Sequence, residues 1–167
     1  MTLRHRKIDF PRDRAYVLER HCRINYECDA PWKRKMPYDA YQAEWFGLSG
    51  QIDEFSSALL DSIRDTATIA EIIESEDGTA VGYLWVPFSR NEESGFCFAK
   101  VQDIYVEPAY RGMGIAAQLM MLYAEENARQ NGAKILRSGT GCENDKSIGL
   151  YQKLGYYTYR YEFEKLL

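Results

Sequence analysis

Hydrophobic and polar positions change period twice along this chain, and the changes divide it into helical and extended thirds. Residues 3–10 read as a short, weakly patterned strand closed by Pro11. Asp13 is placed to cap a helix that runs through Tyr16, Val17 and Arg20 towards Cys28. A proline-bracketed loop over 30–37 follows. Tyr38, Tyr41, Trp45 and Leu48 then fall at helical spacing behind Asp39, with Gly50 expected to end that piece. Ile52, Phe55, Leu59 and Ile63 mark another amphipathic helix.

The period then shortens to two. Residues 68–74 are β-rich, Glu76-Asp77-Gly78-Thr79 supplies turn chemistry, and 80–86 return as the second strand of a hairpin. A polar loop over 90–95 leads into a long strand over 96–106. Its alternation slips near Lys100, Gln102 and Asp103, so a bulge is expected there, and bulges often sit beside active sites. Residues 114–130 form a helix with an apolar face of Ile115, Leu119, Met120, Leu122 and Tyr123, ended by Asn131-Gly132. A short strand over 134–138 and a helix over 144–154 follow. Tyr157, Tyr159, Tyr161 and Phe163 alternate with polar residues as a final strand. The order is β-α-α-β-β-β-α-β-α-β, an α+β sandwich.

Bulk properties narrow the function classes. At 167 residues, 46% of them hydrophobic, the chain is expected to be one domain over 1–167 with its own core. A net charge of -4 argues against general nucleic-acid binding. No run approaches the roughly 20 apolar residues of a membrane span, and the basic N-terminus has no apolar stretch behind it, so a cytoplasmic protein is expected. Cys22, Cys28, Cys97 and Cys142 show no metal-ligand spacing and read as reduced thiols, so no metal is expected. The two histidines, His5 and His21, stand near no Gly-x-Ser-x-Gly that would suggest a serine hydrolase.

The most informative segment is residues 106–118, Val-Glu-Pro-Ala-Tyr-Arg-Gly-Met-Gly-Ile-Ala-Ala-Gln. A strand, a glycine turn and a helix N-terminus gather backbone N–H groups around an anion. Gly112 and Gly114 let phosphate approach the backbone. The ATP/GTP loop would need Lys-Ser/Thr where Ile115-Ala116 stand, and the dinucleotide fingerprint would need a third glycine where Ala117 stands. The spacing Arg111-x-x-Gly114-x-Ala116 resembles the acetyl-coenzyme A pyrophosphate loop of the GNAT superfamily of N-acetyltransferases. A second segment, Asn144-Asp-Lys-Ser-Ile-Gly-Leu-Tyr151-Gln-Lys-Leu-Gly155-Tyr156, is similar to the same family's Asn-x-x-Ala-x-x-x-Tyr-x-x-x-Gly-Phe, with Ser147 and Tyr156 as mild departures.

The resemblance implies a GNAT-like acyl-CoA N-acyltransferase fold, with a central mixed, mostly antiparallel sheet flanked by helices. It implies acetyl-CoA as co-substrate. The turn Arg111, Gly112, Met113, Gly114, Ile115 and Ala116 would hold the pyrophosphate. A splayed strand end at Ile104, Tyr105 and Val106 would pair with the pantetheine amides, and an N–H near Ile104 would polarise the carbonyl. Asn144 would contact the pantetheine arm or phosphates. Tyr151 would stand near the thioester sulfur and protonate the leaving thiolate; as a plain residue it would equally suit the core beside Ile148 and Leu154.

The acceptor side is more open. Where many small-amine members carry Glu-Asp, this chain has Gln102-Asp103, and glutamine takes no proton. Asp103 is the best local carboxylate for a base, and it would equally serve as a hydrogen-bonded strand residue. Glu143 is a distant second. Tyr26, Trp32, Tyr38, Tyr41 and Trp45 would border the acceptor, where aromatic faces attract an ammonium. Lys33-Arg34-Lys35 reads as a solvated loop. The expected reaction is direct transfer of acetyl to a small-molecule primary amine. Acetylation of a protein N-terminus or lysine, and a non-catalytic acyl-CoA sensor, are the alternatives. A homodimer is plausible by resemblance.

Overall fold

The computed structural model describes residues 2–28, 35–165 and 167. Trp32, Lys33, Arg34 and most of the proline-bracketed loop lie outside them, as does the side chain of Met120. The elements are β1 (Arg4–Lys7), α1 (Phe10–Cys28), α2 (Tyr38–Gly47), α3 (Ser49–Ile63), β2 (Ile69–Glu74) and β3 (Ala80–Val86). After them come β4 (Phe88–Arg90), β5 (Cys97–Lys100), β6 (Asp103–Val106), α4 (Ile115–Ala117), α5 (Glu125–Gln130), β7 (Ile135–Arg137) and α6 (Asp145–Lys153). A π-helical stretch, Gln118–Ala124, joins α4 to α5.

Strands β1-β2-β3-β6 make an antiparallel sheet, and β4-β5-β7 a second one in which β5 and β7 are parallel. The two are halves of one surface. Pro87, which lacks an N–H, divides β3 from β4. The expected slip divides β5 from β6. Phe88 is opposite Ala99, yet Trp85 is opposite Asp103, so residues 100–103 carry one more residue than their partners. Gln102 N–H also donates to the Trp85 carbonyl at 2.9 Å. Two residues against one is a β-bulge, and the single strand expected over 96–106 is two strands hinged on it.

The bulge also marks where the sheet opens. Val101 N–H reaches the Arg137 carbonyl at 2.8 Å. Beyond it β7 no longer accompanies the chain, and β6 pairs with β3 alone. Alternate residues of an antiparallel strand turn their N–H and C=O away from the neighbour. Glu107 N–H donates to Val81 at 2.8 Å, so Ile104 and Val106 are the residues whose backbone groups face the open side.

Each face of the sheet buries its own core. Val17, Leu18 and Cys22 of α1, Tyr41 and Trp45 of α2, and Phe55 and Leu59 of α3 pack on Ile72, Tyr83, Trp85 and Tyr105. On the other face Ile115, Leu119, Ala124 and Ala128 pack on Ile73, Leu84, Val86 and Val106. Each such aliphatic side chain contributes about 1.5–3 kcal/mol by leaving water. Three helices therefore cover one face, and the helix behind the glycine turn covers the other.

Several expectations are corrected. Asp13 does not cap α1. The helix begins at Phe10, with Pro11 in its first turn, and Asp13 is buried inside it. There it accepts Arg6 Nη1 at 2.7 Å, Arg6 Nη2 at 3.1 Å and Asp9 N–H at 2.8 Å. Gly50 lies within α3, and Leu48 alone separates α2 from α3. Leu122 is exposed, because the π-helical stretch rotates it off the buried stripe. Residues 157–163 form no ladder, and Tyr157, Tyr161 and Phe163 are 77–91% exposed. Alternation specifies an extended chain, but a strand also needs a neighbour for its N–H and C=O groups, and none of the described strands supplies one.

A methyl group at Gly82 would lie 2.0 Å from the Tyr105 carbonyl oxygen, a backbone atom in the adjoining strand. Overpacking of this kind costs about 1–3 kcal/mol. We expect Gly82→Ala to fold with a melting temperature lower by roughly 4–8 °C, at the upper part of that cost for a chain of this size. Calorimetry checks this. Burial works to raise the Asp13 carboxyl, but the Arg6 hydrogen bonds and the Asp9 N–H outweigh it and hold the group below its ordinary value. Its contribution is therefore complete above the ordinary aspartate range, about 3.9, and is lost as pH falls through the lower folded value. Asp13→Asn should be less stable than wild type at neutral pH, and the gap should narrow on acidification in denaturant titrations.

Candidate active site

The glycine turn closes directly behind β6. Pro108–Tyr110 form one 3₁₀ turn, and Gly112 and Gly114 then adopt φ of +80° and +78°. A side chain at either position would be strained by that backbone conformation. The direction a Cβ would take meets no protein atom within 4 Å at either residue. The turn is thus an open cradle of backbone N–H groups at the start of a helical run over 115–130. Within it Met113 is exposed, Ala116 is half-buried, and Ile115 is buried and offers only its backbone. The Arg111 side chain folds back: its Nε donates to the Val106 carbonyl at 2.8 Å, and Nη1 lies 3.6 Å from Glu27. Arg111 therefore braces the strand end against the turn, and leaves the Val106 N–H and both Ile104 backbone groups along the open edge.

Tyr151 stands on α6. Asn144 caps that helix, its side-chain oxygen accepting Ser147 N–H at 3.2 Å. One lone pair of that oxygen is committed to the cap, and the second lone pair and the amide nitrogen are left for a ligand. Ser138, just past β7, donates to the Tyr151 hydroxyl at 2.8 Å, and that hydroxyl points at the Gly139 carbonyl at 3.4 Å. Burial pushes the Tyr151 phenol above its ordinary value, partly offset by the Ser138 hydrogen bond. A phenol so placed keeps its proton at neutral pH and is able to donate it. Cys28, at the end of α1, is close by, with Sγ 3.7 Å from Thr140 Oγ1. A Cβ at Gly141 would meet the Cys28 carbonyl at 2.7 Å, so the loop before α6 and the end of α1 are in backbone contact.

Cys28 also lines a cavity of about 530 Å³ on the helix-covered face. Its walls include Tyr41, Trp45, Phe55 and Trp85, with Gln102 at the bulge and Glu54 on α3. Of the aromatic group expected from the sequence, Tyr41 and Trp45 line this cavity, Tyr26 and Tyr38 do not, and Trp32 lies outside the described residues; Phe55 and Trp85 were not expected. Asp103 was expected as a base but does not line the cavity. It is 2% exposed, beneath α1. Its Oδ2 accepts the Tyr83 hydroxyl and lies 2.7 Å from His21 Nδ1. Burial, followed by the Asp103 charge and hydrogen bond, drives the Tyr83 phenol well above its ordinary value, so Tyr83 remains a donor. His21 itself faces the cavity. Sequence reasoning missed it because 82 residues separate it from Asp103, and its only local signal is Asn25 one helical turn on.

A family model, Acetyltransferase (GNAT) family, matches residues 24–156. The chain belongs to the GNAT acetyltransferase family. It is 33% identical over 122 residues to a bovine thialysine N-epsilon-acetyltransferase, covering 68% of this chain and 71% of that one. It is 29% identical over 85 residues to a Salmonella typhimurium L-methionine sulfoximine/L-methionine sulfone acetyltransferase. That match covers 51% of this chain and 48% of the relative, so the chain spans about half the length of some curated relatives it matches. Among solved structures, the aminoglycoside antibiotic 6'-N-acetyltransferase AAC(6')-Ih from Acinetobacter baumannii superposes with TM-score 0.63 at 18% identity, with 99% of both chains covered. AAC(6')-Iy, solved with the bisubstrate analog CoA-S-monomethyl-acetylneamine, gives 0.59 at 18% identity, covering 100% of this chain and 99% of that one. The chain has the GNAT fold.

Replacing Tyr151 by Phe keeps the ring and deletes the proton. General acid catalysis contributes about 10²–10⁴-fold, and we expect a loss of kcat in or somewhat below that range. Melting temperature and coenzyme A affinity should change little. A fully active variant would show that water protonates the thiolate; a variant that loses mainly stability would show a structural hydroxyl.

Proposed function

We propose that this GNAT enzyme transfers acetyl from acetyl-CoA to the primary amine of a small molecule, by direct attack within a ternary complex. The observation that carries the reading is the uncovered edge of β6. It runs from the bulge, beside the aromatic cavity, to the glycine turn, so a thioester laid along it would reach both. The residues fit the coenzyme: Gly112 and Gly114 leave open the space that phosphate needs, and the Ile104 and Val106 N–H groups supply the donors an amide-rich arm pairs with.

Bound there, acetyl-CoA supplies an activated carbonyl. The protein's part is orientation, which can be worth about 7–11 kcal/mol when two reactants are held together. The Ile104 N–H would donate to the carbonyl oxygen as negative charge grows on it. Tyr151 gives its proton to the sulfur. Asn144 contributes through its side-chain amide. The aromatic side chains that line the cavity, Tyr41, Trp45, Phe55 and Trp85, support a small amine as the acceptor. The free thiols of Cys22, Cys28, Cys97 and Cys142 are in keeping with a cytoplasmic setting, which we include in the proposal.

Substitution Gly114→Glu puts both a strained Cβ and a negative charge in the cradle. We expect coenzyme A affinity to fall at least tenfold by calorimetry, while circular dichroism shows the fold intact. Unchanged affinity in the folded variant would overturn the assignment. Release of free thiol from acetyl-CoA across an amine library separates the enzyme from a sensor that binds without turnover.

A further inference from the structure

We propose that the cavity between α1, α2, α3 and β3 is the acceptor chamber and that His21, held by Asp103, is the base that prepares the amine. The proposal rests on the acetyl-transfer reading and adds to it the proton acceptor and the chemical class of substrate. An amine arrives at neutral pH as an ammonium, which has no lone pair with which to attack. A group on the chamber wall must take its proton. Of the carboxylates near the reaction line, Asp103 is buried under α1 and does not reach the chamber. His21 does.

The hydrogen bonds fix which imidazole nitrogen is available. The Asp103 carboxylate oxygen accepts from Tyr83 and lies 2.7 Å from His21 Nδ1. A carboxylate only accepts, so Nδ1 carries the proton and Nε2 carries the lone pair. Asn25 Nδ2, 3.2 Å from Nε2, meets that lone pair as a donor. An entering ammonium takes the place of the Asn25 amide. The ring cannot swing away, because it stacks on Phe55 at 4.0 Å between centroids and meets Trp45 edge-on at 5.9 Å. Asp103 and Tyr83 are positioning residues, and His21 is the group that touches substrate.

The step balances as follows. His21 Nε2 takes one proton from R–NH3⁺, and the imidazolium formed is stabilised by Asp103. The freed nitrogen pair forms the C–N bond while the C–S bond breaks, and the departing sulfur takes the Tyr151 proton. The second nitrogen proton returns to Tyr151, directly or through water, and the imidazolium proton passes to solvent. Products are the acetamide, free coenzyme A and one proton.

The walls define the acceptor. Tyr41, Trp45, Phe55 and Trp85 present apolar faces that also attract a cation, and the Trp85 indole N–H is already spent on Ser62 Oγ at 2.8 Å. The exposed Glu54 carboxylate at the α3 side suits a second cationic or donating group. The class is an amine with an apolar body and a positive or hydrogen-bond-donating far end. The titratable groups that face His21 are Asp103 from β6, Tyr83 behind it on β3, Glu54 from α3, Tyr41 from α2 and Cys28 from its own helix.

The test uses the full-length protein with acetyl-CoA and two probe amines, 1,5-diaminopentane and 2-phenylethylamine. In wild type we expect acetylation, faster for the diamine, with kcat/KM falling on the acid side. His21→Gln should lower kcat about 10²–10⁴-fold and abolish the acid limb, with coenzyme A affinity unchanged. In His21→Ala, added imidazole should restore part of the rate. Nitrogen NMR of the free protein should find His21 protonated on Nδ1, and Asp103→Asn, whose amide can donate, should move the proton to Nε2. A wild-type pH profile in His21→Gln, or an Nε2–H tautomer in wild type, overturns the base. No turnover of either amine while coenzyme A binds overturns the acceptor class. Absence of coenzyme A binding would instead overturn the acetyl-transfer reading beneath.

Discussion

The buried carboxylate of Asp103 is the constraint on which this active site depends. An ion taken out of water carries a penalty of several kcal/mol, and only close, hydrogen-bonded partners offset it. Tyr83 from β3 and His21 from α1 are those partners. Breaking such a cluster by removing one member typically costs about 3–5 kcal/mol, more than a third of the stability of many domains. The helix is thus docked on the strand by the same contact that orients the imidazole. Correct folding and correct site geometry are one event.

Four residues further along, the chain repeats the arrangement with a carboxylate that is only partly buried. Glu107, at the end of β6, accepts Arg20 Nε at 2.8 Å and the Tyr16 hydroxyl at 2.9 Å. Arg20 also lies over the Tyr16 ring at 4.2 Å. α1 is therefore tied to both ends of β6, and Arg6–Asp13 ties its first turn to β1. At its far end the Cys28–Gly141 backbone contact joins it to the loop that leads into α6, the helix that carries Tyr151. His21, the open edge of β6 and the helix that carries Tyr151 are braced by one helix.

Much of this was legible in the sequence because it is local. The Asp77-Gly78 hairpin, the glycines at 112 and 114, and the slip at residues 100–103 each announce themselves within a few residues, through backbone sterics or period. Helix existence was equally plain from spacing. What the sequence withheld was contact over distance. His21 gave no local sign of its carboxylate partner, and Phe55 and Trp85 looked like ordinary core. Asp13 looked like a cap because aspartate favours caps, yet the Arg6 guanidinium overrode that preference. The alternation of residues 157–163 was read correctly as a pattern and incorrectly as a ladder, since no pattern within a segment reports whether a partner lies beside it.

The bulge between β5 and β6 has a consequence for how this chain can change over evolutionary time. It sets Gln102 on the chamber wall and the next residue, Asp103, under α1, so two successive side chains serve the same face of the sheet. Exchanging one amino acid for another there alters one group. Losing that one codon would remove the bulge and leave residues 103–106 facing as they do, because the pairing with β3 would become one to one. The loss would fall on the chamber wall alone, which would no longer carry Gln102. The extra residue is therefore a wall group added to the sheet without disturbing the strand that follows, and lineages descending from this chain can vary it in residue while Asp103 keeps its place under α1.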